Sequence, residues 1–352
     1  MKTIIIKSKD DMLSEKELKK AADILKNGGL VAFPTETVYG LGADALNPRA
    51  SIKIYEAKGR PSDNPLIVHI ASPNQMDVLA RDIPDEAYKL ASVFWPGPLT
   101  IILNKKENVP SETTGGLDTV AIRLPASKIA KDIIEASGGY IAAPSANASG
   151  RPSPTKAEHV IEDLDGKIDM IIDGGKSTLG LESTIIDLSA KQATVLRPGC
   201  ITKSMLENII GHVEYDNAVL QKNMDENIIP KAPGMKYRHY APEGSLTIYE
   251  GNIEKVTKEI NNKAKEYIDA GKSVGIIATE ETKHFYKYGI IKVVGSRSDE
   301  DSIAAGLYGV LRDFDDIHAE YIFSESFEGD DLGQAIMNRL LKAAGYNVVN
   351  VE

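Results

Sequence analysis

Apolar residues recur every three or four positions from Ser14 to Asn27, placing Leu18, Ala21, Ala22 and Leu25 on one face of a predicted helix. Ser14 suits its N-cap, and Gly28-Gly29 its stop. A short apolar run, Leu30–Phe33, follows as a strand and ends at Pro34. A second helix begins at Asn47 or Pro48, carries Ile52, Ile54, Tyr55 and Ala57, and closes at Gly59. Further strand-like runs are Leu66–Ile70, Leu99–Leu103, Thr119–Leu124, Met170–Asp173, Ser183–Leu188 and Thr194–Arg197. Strands outnumber helices, and hairpin spacings mix with helical crossovers, which predicts a twisted mixed parallel and antiparallel sheet with helices.

The pattern breaks after Gly211. Residues 213–242 show no sustained period and form a connector, far longer than the ~12–15 residues at which structureless loops become uncommon. At ~3.3 Å per extended residue such a segment can fold back over a neighbouring domain. Its Pro233-Gly234-Met235-Lys236-Tyr237-Arg238-His239-Tyr240-Ala241-Pro242 run is too rich in rings and cations for a passive spacer, so a lid is expected. From Leu246 onward strands and helices alternate simply: strands Leu246–Tyr249, Ser273–Ala278, Ile290–Val294 and Tyr321–Phe323, with helices near Ile253–Ala270, Ser302–Phe314 and Gln334–Ala344. This predicts a small, doubly wound, Rossmann-like α/β domain. It lacks a GxGxxG turn, so dinucleotide binding is not supported. The expected organisation is a first domain at 1–212, a connector at 213–242 and a second domain at 243–352.

Composition narrows the functional class. A chain of 352 residues is long for one domain. A net charge of −10 argues against a broad nucleic-acid footprint while leaving room for a local basic site. Cys200 is the single cysteine, which rules out an internal disulfide and a cysteine zinc cluster. The N-terminal segment is charged too early for a signal peptide, and no apolar run approaches the ~20 residues of a membrane span, so a cytoplasmic location is the default expectation.

Two polar segments carry the chemistry. Lys58-Gly59-Arg60-Pro61-Ser62 sets an ammonium and a guanidinium two residues apart at a helix end. A movable point charge beside a rigid fork suits a polyphosphate, although a helix-end lysine also answers the macrodipole. Ser145–Thr155 follows the apolar run Tyr140–Pro144 with hydroxyls, a carboxamide, glycine and prolines. In an extended segment Ser145 and Asn147 share a side, yet both are also ordinary turn residues. Pro34–Gly42 is a third polar loop, whose Thr35 and Thr37 fit either a site or a sheet edge. His69 within an apolar strand reads first as a core histidine. HExxH, GxSxG and GxxxxGK[ST] patterns are all absent, which disfavours a zinc hydrolase, an α/β-hydrolase and a P-loop ATPase.

Read together, FPTETVYGLGADA at 33–45, KGRPSDNPLIVHI at 58–70, WPGPLT at 95–100, VAIRLP at 120–125, APSANASGRPSPT at 143–155, STIIDL at 183–188 and RPG at 197–199 closely resemble the YrdC-type threonylcarbamoyl-AMP synthase family. Its Lys-x-Arg and Ser-x-Asn hallmark stands here as Lys58, Arg60, Ser145 and Asn147. The connector and extra domain resemble the long, two-domain branch. The resemblance implies synthesis of L-threonylcarbamoyl-AMP from L-threonine, bicarbonate or CO2 and ATP, with release of pyrophosphate. The product would pass to the tRNA threonylcarbamoyl transfer machinery. It further implies threonine contacts from Thr35, His69, Arg123, Ala143 and Ser183, with Arg123 on the carboxylate. Lys58, Arg60, Ser62, Thr119, Ser145, Asn147, Ser153 and Arg197 would surround the nucleotide, joined by Tyr237, Arg238 and His239 from the connector. Magnesium is expected with ATP, its protein ligands unassigned; Glu182 and Asp187 fit a structural role equally well. Two other readings stand beside this one: a non-catalytic RNA-binding module, and a carbamoyl-adenylate transferase using carbamoyl phosphate. Direct tRNA binding is left open.

Overall fold

The computed structural model describes residues 2–220, 230–233, 240–327, 329 and 332–352. Eleven strands of the first part are β1 (Ile4–Lys7), β2 (Val31–Phe33), β3 (Gly40–Asp44), β4 (Ile67–Ile70), β5 (Leu99–Asn104), β6 (Thr119–Arg123), β7 (Tyr140–Ala142), β8 (Met170–Asp173), β9 (Thr184–Asp187), β10 (Thr194–Arg197) and β11 (Glu214–Tyr215). They form one sheet in the order β1-β8-β2-β3-β7-β4-β6-β5-β9-β10-β11, with parallel and antiparallel pairs intermixed, as the spacing of runs predicts.

Local signals explain the elements that shape the site. Ser14 and Glu17 close a reciprocal capping box on the helix Glu15–Lys26. Asn47 caps the helix Pro48–Lys58 by accepting from the Arg49 and Ala50 N–H groups, and Pro48 occupies its first turn. Gly59 ends it in the left-handed region at φ 62°, which turns the chain sharply between Lys58 and Arg60.

Several elements differ from the reading of the sequence. Gly40–Asp44 is strand β3, not the continuation of a polar loop. Gly42 lies where sheet neighbours crowd: a Cβ there would stand 2.6 Å from the Phe33 ring and 2.9 Å from Ile141 Cγ2. The helices Asp85–Phe94, Lys128–Ala136, Ala157–Leu164 and Lys203–Ile210 carry no long apolar run and were not anticipated. The first unit also runs past residue 212. Val213 is buried in its core, and the two-residue β11, too short to register as a pattern, pairs parallel with β10.

The second part holds β12 (Ser245–Gly251), β13 (Val274–Ala278), β14 (Ile290–Val293), β15 (Tyr321–Glu325) and β16 (Val348–Val351), in the order β14-β13-β15-β12-β16 and all parallel. Both faces are covered. Ile276 packs in a cluster with Val256, Ile260 and Ala264 of the helix Ile253–Asp269. Its neighbour Ile277 packs on the other face with the helices Glu300–Asp316 and Leu332–Ala343. That second cluster also takes in Val38, Leu181 and Tyr240, so one apolar core spans both domains.

Polar contacts reinforce this junction. Tyr308 and Arg312, one turn apart on one helix, both face the first domain. Arg312 donates to the Pro152 carbonyl at 2.7 and 3.1 Å and to Asp163 at 2.7 and 3.3 Å. Arg151 reaches Asp163 at 2.5 Å and Asp315 at 3.4 Å.

Gly180 permits close approach at the junction. It sits at φ +74°, and a Cβ there would lie 2.5 Å from Ala305 Cα and 2.6 Å from the Ala304 carbonyl. We expect Gly180→Ala to lower unfolding stability by ~1–3 kcal/mol, measured by urea titration, through overpacking plus left-handed strain. An unchanged midpoint would show that the domains separate freely at this point.

His159 is buried and accepts from the Thr155 N–H at Nδ1, so it carries its proton on Nε2. Burial, then the Arg312 charge, lower its pKa to about 3. Between the unfolded value of ~6.5 and about 3 the unfolded chain binds a proton that the folded one refuses. The stability from keeping it neutral is therefore present above pH ~6.5 and lost as pH falls, by ~1.4 kcal/mol per pH unit. In His159→Gln the slope of stability against pH from 6 to 4 should flatten by about that amount. An identical slope would show that His159 protonates in the folded state.

Candidate functional site

A single cavity gathers most of the residues that the sequence singles out. Its described lining includes Thr35, Lys58, Arg60, His69, Arg123, Ala143, Ser145, Asn147, Ser183 and Arg197. The sheet register explains the meeting of its deepest groups. His69 on β4 lies directly beside Arg123 on β6, and Arg123 beside Thr100 on β5. Thr100 in turn shares a 2.7 Å hydrogen bond with Ser183.

Arg123 is buried and spends three N–H groups on the protein. Nε donates to the Gly97 carbonyl at 3.3 Å, Nη1 to Thr37 Oγ1 at 2.9 Å, and Nη2 to Glu36 at 2.7 Å. A guanidinium has five N–H donors, so one remains on each terminal nitrogen, the pair a carboxylate takes bidentately. Since Thr37 Oγ1 receives Arg123, it passes its own proton to Thr35 Oγ1 at 2.8 Å, which donates to the Val38 carbonyl at 2.6 Å. Burial would raise the Glu36 pKa, but the Arg123 charge and hydrogen bond outweigh it and hold the carboxylate ionised.

The His69 Nδ1–H donates to the Ile67 carbonyl at 3.1 Å, which leaves Nε2 as an acceptor. Burial, reinforced by Arg123, lowers its pKa to about 3, so the imidazole is neutral at physiological pH. Thus it is both a core histidine and a cavity residue.

Lys58 is buried, and burial, with repulsion from Arg60, drives its pKa well below that of free lysine. Its Nζ donates to the Ser145 carbonyl at 2.5 Å, to the Asn147 carbonyl, and at 3.5 Å to Asn147 Oδ1. The ammonium therefore shapes the loop that bears Ser145 and Asn147. That loop is tightened further by Ser145 Oγ donating to Asn147 Oδ1 at 2.5 Å, and by the Asn147 amide donating to the Ala148 and Arg151 carbonyls, each at 2.9 Å. Arg60 donates through Nε and Nη2 to the Asn64 carbonyl and through Nη2 to that of Pro65. Arg197 donates through Nε to the Ser183 carbonyl and through Nη2 to Ser183 Oγ. Among the bonds between described residues, neither arginine spends Nη1.

Other expected residues fall elsewhere. Ser153 stands behind the lining, buried, donating to Glu182 at 2.5 Å. Ser62 is exposed on the turn beyond Pro61. Thr119 opens β6, four residues, or ~13 Å, from Arg123 at its other end. Neither of these two is in the described lining. Tyr237, Arg238 and His239 lie outside the described residues. Their flanks do reach the site: Pro233 and Tyr240 line the cavity, and the Ala241 N–H donates to the Gly150 carbonyl at 2.9 Å.

Glu182 is the one acid among the described lining residues. Burial would raise its pKa, but Arg339 and Arg197 hold it down to about 2. Asp187 instead caps its own turn, accepting from the Ser189 N–H and hydroxyl. Among the described residues no three His, Cys, Asp or Glu side chains converge as a metal cage. Nor is any described helix long and apolar enough to cross a membrane.

Comparison with known proteins agrees with this architecture over both parts. A family model described as Telomere recombination (Sua5/YciO/YrdC) matches residues 23–199. One described as the C-terminal domain of threonylcarbamoyl-AMP synthase matches residues 201–345. The threonylcarbamoyl-AMP synthase of Pyrococcus abyssi is 48% identical over 99% of this chain and 100% of its own length. That of Bacillus subtilis is also 48% identical, over 96% and 95% respectively. A crystal structure of P. abyssi Sua5 complexed with L-threonine superposes with a TM-score of 0.92 at 46% identity, covering 100% of both chains. The chain belongs to the two-domain threonylcarbamoyl-AMP synthase family.

Proposed function

We propose that the cavity is where this synthase joins L-threonine, bicarbonate and ATP into L-threonylcarbamoyl-AMP, for the threonylcarbamoyladenosine modification of tRNA. The observation that carries this is the convergence of Lys58, Arg60, Arg123 and Arg197 on one cavity whose one described lining acid is neutralised by Arg339. Threonine contributes a carboxylate, and ATP carries several negative charges. A pocket with a net positive wall suits a reaction that needs positioning and charge neutralisation more than a protein nucleophile.

In this reading the threonine carboxylate takes the two spare N–H groups of Arg123. The Nε2 of neutral His69 accepts from the substrate's amine or hydroxyl. The amine nitrogen bonds to the carbon of bicarbonate or CO2, giving a carbamate with loss of a proton and, from bicarbonate, hydroxide. A carbamate oxygen then bonds to the α-phosphorus of ATP, and the bond from that phosphorus to the bridging β-oxygen breaks. Pyrophosphate leaves with the electron pair. Arg60 and Arg197 meet the growing charge through Nη1, while Lys58 keeps the Ser145–Asn147 loop in place. Magnesium arrives on the phosphates of ATP, as part of the substrate, with water completing its shell. Pro233 and Tyr240 line the cavity and help exclude water from a hydrolysable adenylate.

The direct test is pyrophosphate release, which should require ATP, L-threonine and bicarbonate together. Release that proceeds equally with carbamoyl phosphate in place of threonine and bicarbonate would favour a carbamoyl-phosphate transferase instead. Arg123→Gln should raise the KM for threonine on the order of tenfold to a hundredfold, with a much smaller change for ATP, because a buried bidentate charge pair is lost. Equal losses for both substrates would move Arg123 away from the carboxylate. Lys58→Ala and Arg60→Ala should each lower kcat by ~100-fold. Lys58→Ala should also reduce stability by ~1–3 kcal/mol, since the Ser145 and Asn147 carbonyls lose their donor. Near-normal turnover of both variants would refute their assignment.

A further inference from the structure

We infer that Tyr308 and Arg339, both in the second domain, are positioning residues for the reaction in the first, acting through Glu182 and Tyr240. This rests on the placement of ATP in the cavity proposed above.

Glu182 lines the cavity, yet most of its hydrogen bonds come from across the domain junction. Tyr308 Oη donates to it, 2.9 Å from Oε2 and 3.0 Å from Oε1, and Arg339 Nε donates to Oε2 at 2.9 Å. Ser153 of the first domain completes the set. Tyr308 and Arg339 are wholly buried. The next residue, Ser183, holds the Arg197 guanidinium through its carbonyl and hydroxyl. On the far side of Arg197, the Pro198 carbonyl accepts from Arg339 Nη2 at 2.9 Å. The second domain thus grips the chain at both places that fix Arg197.

The same two side chains support the connector. The ring of Tyr308 lies 5.2 Å from that of Tyr240, and the Arg339 guanidinium stands 5.9 Å from the Tyr240 centroid. Tyr240 holds a left-handed backbone at φ 66°, a conformation unfavourable for a non-glycine residue that needs its surroundings to maintain it. Tyr308 and Arg339 are among those surroundings.

Stability alone does not account for a buried glutamate, arginine and tyrosine at a domain junction. Well-packed apolar residues of similar volume often do as well or better, and the best-attested use of such a network is to fix one register. Here the register set is that of the cavity wall.

The test uses the full chain. Tyr308→Phe removes the hydrogen bond to Glu182 and keeps the ring against Tyr240; Tyr308→Leu removes both. Arg339→Lys keeps the charge and loses the fork. We expect Tyr308→Phe and Arg339→Lys each to weaken binding of a non-hydrolysable ATP analogue, measured by calorimetry, and to lower kcat/KM for ATP about tenfold, as a small misplacement does. The KM for threonine should stay within twofold. Tyr308→Leu should in addition release more adenylate to hydrolysis per pyrophosphate formed. Asp315→Asn, which removes the charge facing Arg151 while keeping an oxygen for the Glu243 N–H and leaving Glu182 and the Tyr240 ring untouched, should change none of these values beyond twofold.

Variants of Tyr308 and Arg339 that bind the analogue and turn over as the wild type does would overturn the inference, and so would a parallel loss in Asp315→Asn. A wild type that binds no nucleotide would overturn both the inference and the functional reading on which it rests. Nucleotide binding without threonine-dependent pyrophosphate release would defeat only the reaction proposed above.

Discussion

Four cations converge on one cavity, and holding them there is the constraint from which the rest of the site follows. Like charges at close range repel, and burial removes the water that would screen them. Each is therefore supplied with fixed acceptors. Lys58 takes the carbonyls of a folded-back loop, Arg60 those of Asn64 and Pro65, Arg197 the two oxygens of Ser183, and Arg123 the Glu36 carboxylate and the Thr37 hydroxyl. Backbone carbonyls dominate this list. They stabilise a cation without adding a full negative charge that an incoming phosphate would have to displace. The result is a wall that remains positive while its hydrogen bonds are largely satisfied.

That arrangement also explains why the large sheet must be mixed. The loops that bring Lys58 and Asn147 together are separated by nearly ninety residues, and they meet because β3, β7, β4 and β6 lie side by side despite their distance in sequence. The isolated bridge between Gly40 and Ser145 extends this alignment to the mouth of the cavity. Parallel register between β4 and β6 puts His69 next to Arg123. No single motif contains this information.

Much was nonetheless legible in the sequence. The helix Pro48–Lys58 announces itself through Asn47, Pro48 and Gly59, and its last residue and the turn that follows carry both members of the basic pair, Lys58 and Arg60. Long apolar runs mark most strands. The family resemblance named Thr35, His69, Arg123, Ala143, Ser183 and Arg197, which the fold brings into one cavity. What stayed hidden has physical reasons. β3 carries two glycines, one of them Gly42 where its neighbours leave no room for a side chain, so it lacks the run of residues by which strands are recognised. The helix Lys128–Ala136 is short, and its apolar residues Ile129, Ala130, Ile133 and Ile134, though at helical spacing, form no continuous run. Lys58 reads as a phosphate ligand in sequence; that its bonds also organise the Ser145–Asn147 loop depends on contacts nearly ninety residues away. In sequence Glu182 fits a metal or a structural role equally well, because its partners, Tyr308 and Arg339, lie more than a hundred residues away.

The junction at Glu182 has a consequence for how such a chain can change over generations. A buried acid that loses its base, or a base that loses its acid, leaves a charge with no solvent to receive it, and that defect costs several kcal/mol against a total stability of ~5–15. A drift at position 182, 308 or 339 is therefore harmful alone and tolerable only when a partner shifts with it. The three positions behave as one heritable unit shared between two domains. Recombination that exchanges the second domain for a foreign one must import Tyr308 and Arg339 together, or arrive with an apolar replacement for all three.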